Sequence, residues 1–262
     1  MARLDIELVL RGIAGSRERA KEMIKSGGIL VNGKTASKPS LNVLPDDLVE
    51  ALMPDLQYVG RGALKLEKAS EIFNIELTGK VCLDIGASTG GFTDYMLRNG
   101  ASKVFAVDVG HGQLAESLRN DKRVVNLEGT DIRDITVKDI GGEADFISVD
   151  VSFISLKKII HKIYELLKSG ACAAVLIKPQ FEAGRENIGK HGIVKDRKVH
   201  ERILADINSF ALNAGLYPEM YTYSPVRGGS GNIEYLVKLI KDKPEQKIHD
   251  FRLIAENAFK EL

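Results

Sequence analysis

Only two cysteines, Cys82 and Cys172, occur in 262 residues, and both stand in apolar runs. So few exclude a disulfide scaffold and lead us to expect buried, reduced thiols in a reducing compartment. The five histidines show no metal-ligand spacing, so no metal is expected. No apolar stretch approaches the roughly 20 residues that cross a bilayer, and the first residues lack a secretory signal's apolar core. A cytoplasmic protein with no membrane partner is the expectation. An excess of charge is lacking too, with 37 Lys and Arg against 36 Asp and Glu, so any nucleic-acid surface has to be local. Repeats and low-complexity tracts are absent. What is present, 44% apolar and 28% charged residues, suits a globular chain with one large domain and one small one.

Residues 1–50 read as a compact α+β module. Leu4, Leu8 and Val9 give Arg3–Arg11 a helical stripe, and Ser16 is placed to cap a second helix carrying Ala20, Met23 and Ile24. Gly27 and Gly28 end that helix, Ile29–Val31 begins a strand, and Asn32-Gly33 signals a hairpin into Lys34–Ala36. Arg17, Arg19, Lys21 and Lys25 crowd one helix, with Lys34 and Lys38 beyond it. That pattern fits a phosphate-binding face, and equally a solvated helix with Glu18 and Glu22 as partners. Pro54 to Tyr58 reads as a joint, so the domains are expected at 1–54 and 61–262, with 55–60 between them.

Past the joint, Gly62–Ile72 has helical spacing. Apolar runs at Val81–Ile85, Val104–Val107, Val124–Leu127, Phe146–Val149 and Ala173–Ile177 then alternate with helical stretches near 92–99, 112–119, 155–168 and 197–214. This predicts an α/β fold with a doubly wound, mostly parallel sheet, closed by an edge hairpin near 217–224 and 233–240. Leu83 to Phe92 follows the first run and opens a helix, as a cofactor loop does. Asp84, Gly86, Ser88, Gly90, Gly91 and Phe92 are its candidate cofactor residues. Asp108, ending the next strand, is placed to accept two ribose hydroxyls, and Asp131 to hold an adenine amino group. Gly86, Ser88 and Gly91 loosely match a dinucleotide fingerprint. The Asp84-x-Gly86 start and the double glycine favour S-adenosylmethionine.

Lys65, Asp150, Lys178 and Glu234 form the candidate catalytic set. Asp150 and Lys178 each end an apolar strand, where the crevice of an open α/β sheet lies, and Glu234 follows the loop 227–231. Taken singly, each residue reads as a member of a surface ion pair. Together they suit removal of a proton from a ribose 2′-OH, a poor nucleophile at neutral pH. Lys178 would act as base or stabilise the forming alkoxide, and Lys65 would add a second positive charge. Asp150 would orient Lys178, and Glu234 would fix Lys65 and the ribose.

Two resemblances sharpen this reading. Arg3-Leu4-Asp5, Ser16-Arg17, Ile24, Val31-Asn32-Gly33 and Lys38-Pro39 resemble the S4 domain. That implies binding of structured RNA, with Arg3, Arg17, Arg19, Lys21, Lys25, Lys34 and Lys38 as the binding residues. Tyr58–Leu66, Leu83–Phe92, Val149–Leu156, Lys178–Glu182 and Gly231–Tyr235 resemble the TlyA, or hemolysin-A-like, family across nearly the whole chain. The family implies a Rossmann-like, FtsJ-related methyltransferase domain using S-adenosylmethionine. It also implies 2′-O-methylation of cytidine in ribosomal RNA within ribosomal subunits. A monomer is expected. The rivals are a non-catalytic ribosome-assembly factor, a membrane-lytic hemolysin and a dinucleotide oxidoreductase. Ser152 and Ser155 could line the site but are expected to cap a helix, Phe181 could stack on a flipped base but is expected, like Phe92, to be core, and Arg227 to touch RNA phosphate or solvate its loop.

Overall fold

The structure, a computed structural model, describes residues 2–25, 28–51, 58–243 and 247–262. The side chains of Arg19, Glu22 and Lys25 lie outside what it describes, as do Gly27 and most of the expected joint. The chain divides into two compact units, Met1–Gln57 and Tyr58–Leu262.

The first unit runs β1 (Ala2–Arg3), α1 (Leu4–Leu10), α2 (Arg17–Lys25), β2 (Ile29–Val31), β3 (Lys34–Thr35), β4 (Asn42–Val43) and β5 (Val49–Ala51). β2 pairs antiparallel with both β3 and β5, and β1 pairs with β4. Asn32 and Gly33 both take left-handed φ values, 50° and 75°, the geometry that folds a two-residue hairpin tightly. Leu4, Leu8, Ala20, Met23, Ile24, Ile29 and Val43 form its small core. Two expectations shift. Val9 is 37% exposed, and Arg3 belongs to β1, because its backbone is drawn into pairing with Asn42.

The second unit begins with α3 (Ala63–Phe73). There follow β6 (Val81–Ile85), α4 (Gly91–Arg98), β7 (Lys103–Asp108), α5 (Glu116–Arg119), β8 (Val124–Glu128) and β9 (Ala144–Val149). The unit ends with α6 (Ile160–Leu166), β10 (Leu167–Ile177), α7 (Pro179–Glu182), α8 (Arg197–Asn213), β11 (Leu216–Tyr223), β12 (Tyr235–Lys241) and α9 (Phe251–Glu261). Its seven strands lie in the order β11-β12-β10-β9-β6-β7-β8. β10, β9, β6, β7 and β8 are parallel, and β12 runs antiparallel between β10 and the edge strand β11. Strand order reverses between β9 and β6, so the ligand crevice opens beyond their carboxyl ends.

Alternation along the strands builds a core on each face. Cys82, Val104, Ala106, Phe146 and Leu236 meet Leu66, Phe73, Met96 and Leu118 from α3, α4 and α5. Leu83, Val107, Ile147, Val175 and Val237 meet Ile163, Ile203, Ile207 and Ala258 from α6, α8 and α9. Burying each large apolar side chain contributes roughly 1.5–3 kcal/mol, which is what holds the strand ends in register. The helix expected over 155–168 is shorter. Ser155 caps a 3₁₀ turn at Leu156–Lys158, and Leu167 already belongs to β10, where Lys168 pairs with Asp145 at 2.6 Å. Tyr58 and Val59, expected in the joint, are packed into this unit. The Tyr58 ring lies 5.8 Å from that of Tyr95, and Val59 N donates to Asp94 at 2.9 Å.

Candidate active site

Three strand ends and one helix deliver the charged cluster. Asp150 follows β9, Lys178 follows β10, Glu234 precedes β12, and Lys65 stands in the first turn of α3. Lys65 Nζ donates to Glu234 Oε2 at 2.8 Å and to Asp150 Oδ2 at 3.3 Å. Lys178 Nζ lies 2.6 Å from Asp150 Oδ1 and donates to Ser152 Oγ at 2.8 Å. The approach to Oδ1 is an ion pair without hydrogen-bond alignment, so this buried oxygen has no aligned donor.

The electrostatics follow from burial and pairing. Burial alone would raise the Asp150 carboxyl, but Lys65 and Lys178 outweigh it and hold the group below its usual range. Burial opposes the charge on Lys65, yet Asp150 and Glu234 push this ammonium above its ordinary value. Both remain charged at neutral pH. Two glycine loops are shaped around the cluster. Gly228 packs so closely on Glu234 that an added Cβ would sit 2.3 Å from Oε1. At Gly86, where φ is +85°, a Cβ would lie 2.6 Å from the Asp150 carbonyl oxygen.

Two clefts meet here. One, of ≈ 350 Å³, is lined by Arg61, Lys65, Thr89, Gly91, Phe92, Lys178 and Arg227–Gly229. The other, of ≈ 630 Å³, runs past Val107, Asp108, Gly110, Asp131 and Ile132 to Phe153 and Ile154. Gly86, Ser88, Asp150 and Ser152 belong to the walls of both. The larger cleft suits a nucleoside, with apolar walls at Ile85, Val107 and Ile132 and a carboxylate at Asp108. Asp108 accepts Ser88 N at 2.8 Å and Gly110 N at 2.7 Å, one on each oxygen, leaving lone pairs for ribose hydroxyls.

Other expected cofactor residues stand elsewhere. Asp84 lines neither cleft. It is fully buried beneath the loop, accepts from Thr93 Oγ1 at 2.7 Å and Ser148 Oγ at 3.0 Å, and burial pushes its carboxyl up to about 7. Gly90 packs against Leu114 and Leu118 instead of a cleft. Asp131 reaches the cleft, but its carboxylate is bound by Arg133 at 2.6 Å and caps the turn Ile132–Asp134.

Three side chains take their places only in the fold. Ser152 does not cap a helix; it accepts from Lys178. Phe153 is 92% exposed at the mouth of the larger cleft, holds a φ of +64°, and lies 5.3 Å from the Phe181 ring. Arg227 is tied within the protein, its Nε to the Leu262 main-chain oxygen at 3.0 Å and Nη1 to Gly231 O at 3.0 Å. In the first unit, Arg3 and Arg17 both bind the buried Asp5 carboxylate, Lys21 lies 3.8 Å from Glu18, and Lys34 and Lys38 are exposed.

Comparisons with known proteins agree with this architecture. Residues 58–241 match the FtsJ-like methyltransferase family and residues 2–49 the S4 domain. The chain is 46% identical to YqxC of Bacillus subtilis, described as a candidate rRNA methyltransferase, over 99% of this chain and 95% of that one. It is 43% identical to the 16S/23S rRNA (cytidine-2′-O)-methyltransferase TlyA of Mycobacterium tuberculosis, over 91% of this chain and 89% of that one. A solved structure from Streptococcus thermophilus, described as a candidate hemolysin, superposes with a TM-score of 0.80 at 40% identity. It covers 99% of this chain and 96% of that one. Among the described residues no helix is long and apolar enough to cross a membrane, and no cluster of metal-ligating side chains occurs. The chain belongs to the FtsJ-like methyltransferase family, as an S-adenosylmethionine-dependent enzyme with an S4 domain ahead of its catalytic domain.

Proposed function

We propose that this enzyme methylates a ribose 2′-OH of ribosomal RNA, at a cytidine, with Lys178 assisting loss of the hydroxyl proton. The observation that carries this reading is the shared wall between a nucleoside-sized cleft and the Lys65–Asp150–Lys178–Glu234 cluster. The choice of cytidine in ribosomal RNA follows the relative from M. tuberculosis. Asp108 would hold the ribose of S-adenosylmethionine, with Gly86, Ser88, Gly91 and Phe92 along its path and Asp131 toward its adenine. When bound, the cofactor supplies an electrophilic methyl group on a sulfonium.

The chain's own residues prepare the nucleophile. An ammonium has three donors; Ser152 engages one on Lys178 and Asp150 pairs with its charge, leaving a donor for the ribose oxygen. As the hydroxyl proton leaves to water in the cleft, that donor stabilises the charge developing on oxygen. Lys65, kept protonated, adds a second cation, Asp150 aims Lys178, and Glu234 fixes Lys65. Phe153 offers an aromatic face to a base taken out of its stack, and its left-handed backbone is the kind of strain that collects at functional sites. Residues 1–54 would act as a separate RNA-binding domain, joined through 55–60. There Arg3, Arg17, Arg19, Lys21, Lys25, Lys34 and Lys38 meet phosphates.

Labelled methyl transfer to purified ribosomal subunits, wild type beside Lys178→Ala, tests the reading. Modified positions are mapped by the resistance of 2′-O-methylated linkages to alkali. Expected are label at a ribose, a loss on the order of a thousandfold in the variant, and unchanged cofactor affinity. Label on a base, or full activity in the variant, would overturn it.

A further inference from the structure

A second group of charged and aromatic side chains lies outside the catalytic cluster and touches both elements that build it. Lys68 stands three residues after Lys65 on α3, on the same face of the helix. Its Nζ sits 3.9 Å above the ring of Tyr223, the last residue of β11. Burial first, and Glu261 at the end of α9 after it, push the Tyr223 phenol up to about 12. Burial lowers the Lys68 ammonium, and Glu261 partly offsets this. One residue further along, the Leu262 main-chain oxygen accepts from Arg227 Nε at 3.0 Å and also from Nη2. Arg227 closes the arrangement by donating to Gly231 O at 3.0 Å across its own loop.

These contacts join parts of the fold that are otherwise separate. α3 covers one face of the sheet, whereas α9 contributes Ala258 and Phe259 to the core on the other. The end of α9 therefore reaches the loop 227–231, while β11 meets α3 through Tyr223 and Lys68. α3 carries Lys65, and that loop seats Glu234 against Gly228. The far end of α3 is also anchored, by Lys238 Nζ of β12 donating to Phe73 O at 2.9 Å. α3 is thus tied at its middle by Lys68 and at its far end by Phe73.

We infer that the end of α9 is a clasp, with Glu261, Tyr223 and Arg227 as positioning residues that hold Lys65 and Glu234 in register for methyl transfer. The clasp rests on the proposed catalytic role of the cluster. None of its residues needs to touch substrate. An error of about 1 Å in such a cluster can cost a hundredfold in rate, so removing a tie is read in turnover before it is read in folding.

The experiment uses the full chain as wild type, Arg227→Ala, Arg227→Lys and Glu261→Ala. Four readouts are taken: kcat and KM for RNA, cofactor affinity, thermal midpoint, and hydrogen exchange of residues 226–234. The clasp requires Arg227→Ala and Glu261→Ala each to lower kcat by on the order of tenfold or more. KM, cofactor affinity and the thermal midpoint should hold, exchange in 226–234 should rise, and Arg227→Lys should recover part of the rate. Unchanged kcat and exchange in both alanine variants overturns the clasp. So does a rate loss that merely follows a lower thermal midpoint. A raised KM for RNA at constant kcat would make Arg227 an RNA ligand and also overturn it. If the wild type itself transfers no methyl group to RNA, the proposed function fails. The exchange readout then still decides whether α9 holds the loop.

Discussion

Two regions of this chain use one device, a carboxylate between two cations, in opposite surroundings. In the first unit Asp5 is fully buried, while Arg3 and Arg17, which bind it at 2.9 and 3.1 Å, are 44% and 49% exposed. In the second unit Asp150 binds Lys65 and Lys178, whose side chains are only 12% and 10% exposed. Exposed guanidinium groups project charge into solvent, where salt screens it and phosphate can reach it. Enclosed ammonium groups act at contact distance with little screening, on whatever oxygen enters the cleft. The difference in burial separates a surface suited to attraction from a site suited to chemistry.

The largest effect is expected from Asp150→Asn. It leaves Lys65 and Lys178 facing one remaining acid, Glu234, in an enclosed cleft, and breaking such a pair costs about 3 kcal/mol. Urea unfolding of the full chain measures this, and activity should fall by on the order of a hundredfold or more. A stability loss near zero would mean that water screens the cluster as it screens the arginines. The contrast between the two regions would then collapse.

How much of this is legible in sequence depends on the range of the contact. Asp150 and Lys178 are readable because each follows an apolar run, and strand ends in an α/β sheet share one crevice. The exposure of Phe153 is not readable, because it depends on a left-handed φ in a loop that a hydrophobic residue rarely adopts. Asp84 misleads for the opposite reason. It sits within the loop's motif, yet strand alternation turns it into the core, toward Thr93 and Ser148. Nothing local marks Asp5 as buried, and only folding brings Arg17 to it. The tie between Arg227 and the end of α9 leaves no local signature at all.

Next in size is the pH dependence of the first unit. Arg3 and, against burial, Arg17 hold the Asp5 carboxyl down to about 2, below its unfolded value. A depressed acid contributes stability above its unfolded pKa and loses it as pH falls through the folded one. Hydrogen exchange at Leu4–Leu10 and Ile29–Val31 in the full chain should therefore loosen as pH drops from about 4 to about 2. Asp5→Asn should remove that acid step. If the step survives the substitution, the two arginines are organised by something other than Asp5.

The smallest effect is the sharpest discriminator. An arginine that meets phosphate releases a counterion, so Arg17→Ala should reduce the slope of log affinity against log salt by about 1. Lys178→Ala should leave that slope unchanged, because an enclosed ammonium already paired with Asp150 meets no phosphate and so releases no cation condensed on the RNA. Filter binding of ribosomal RNA across a salt series gives both slopes from one preparation. Equal changes in the two variants would place Lys178 in contact with the RNA backbone. Its enclosure would then be a feature of the free protein alone, and the cluster would work as an electrostatic surface, as the exposed arginines do.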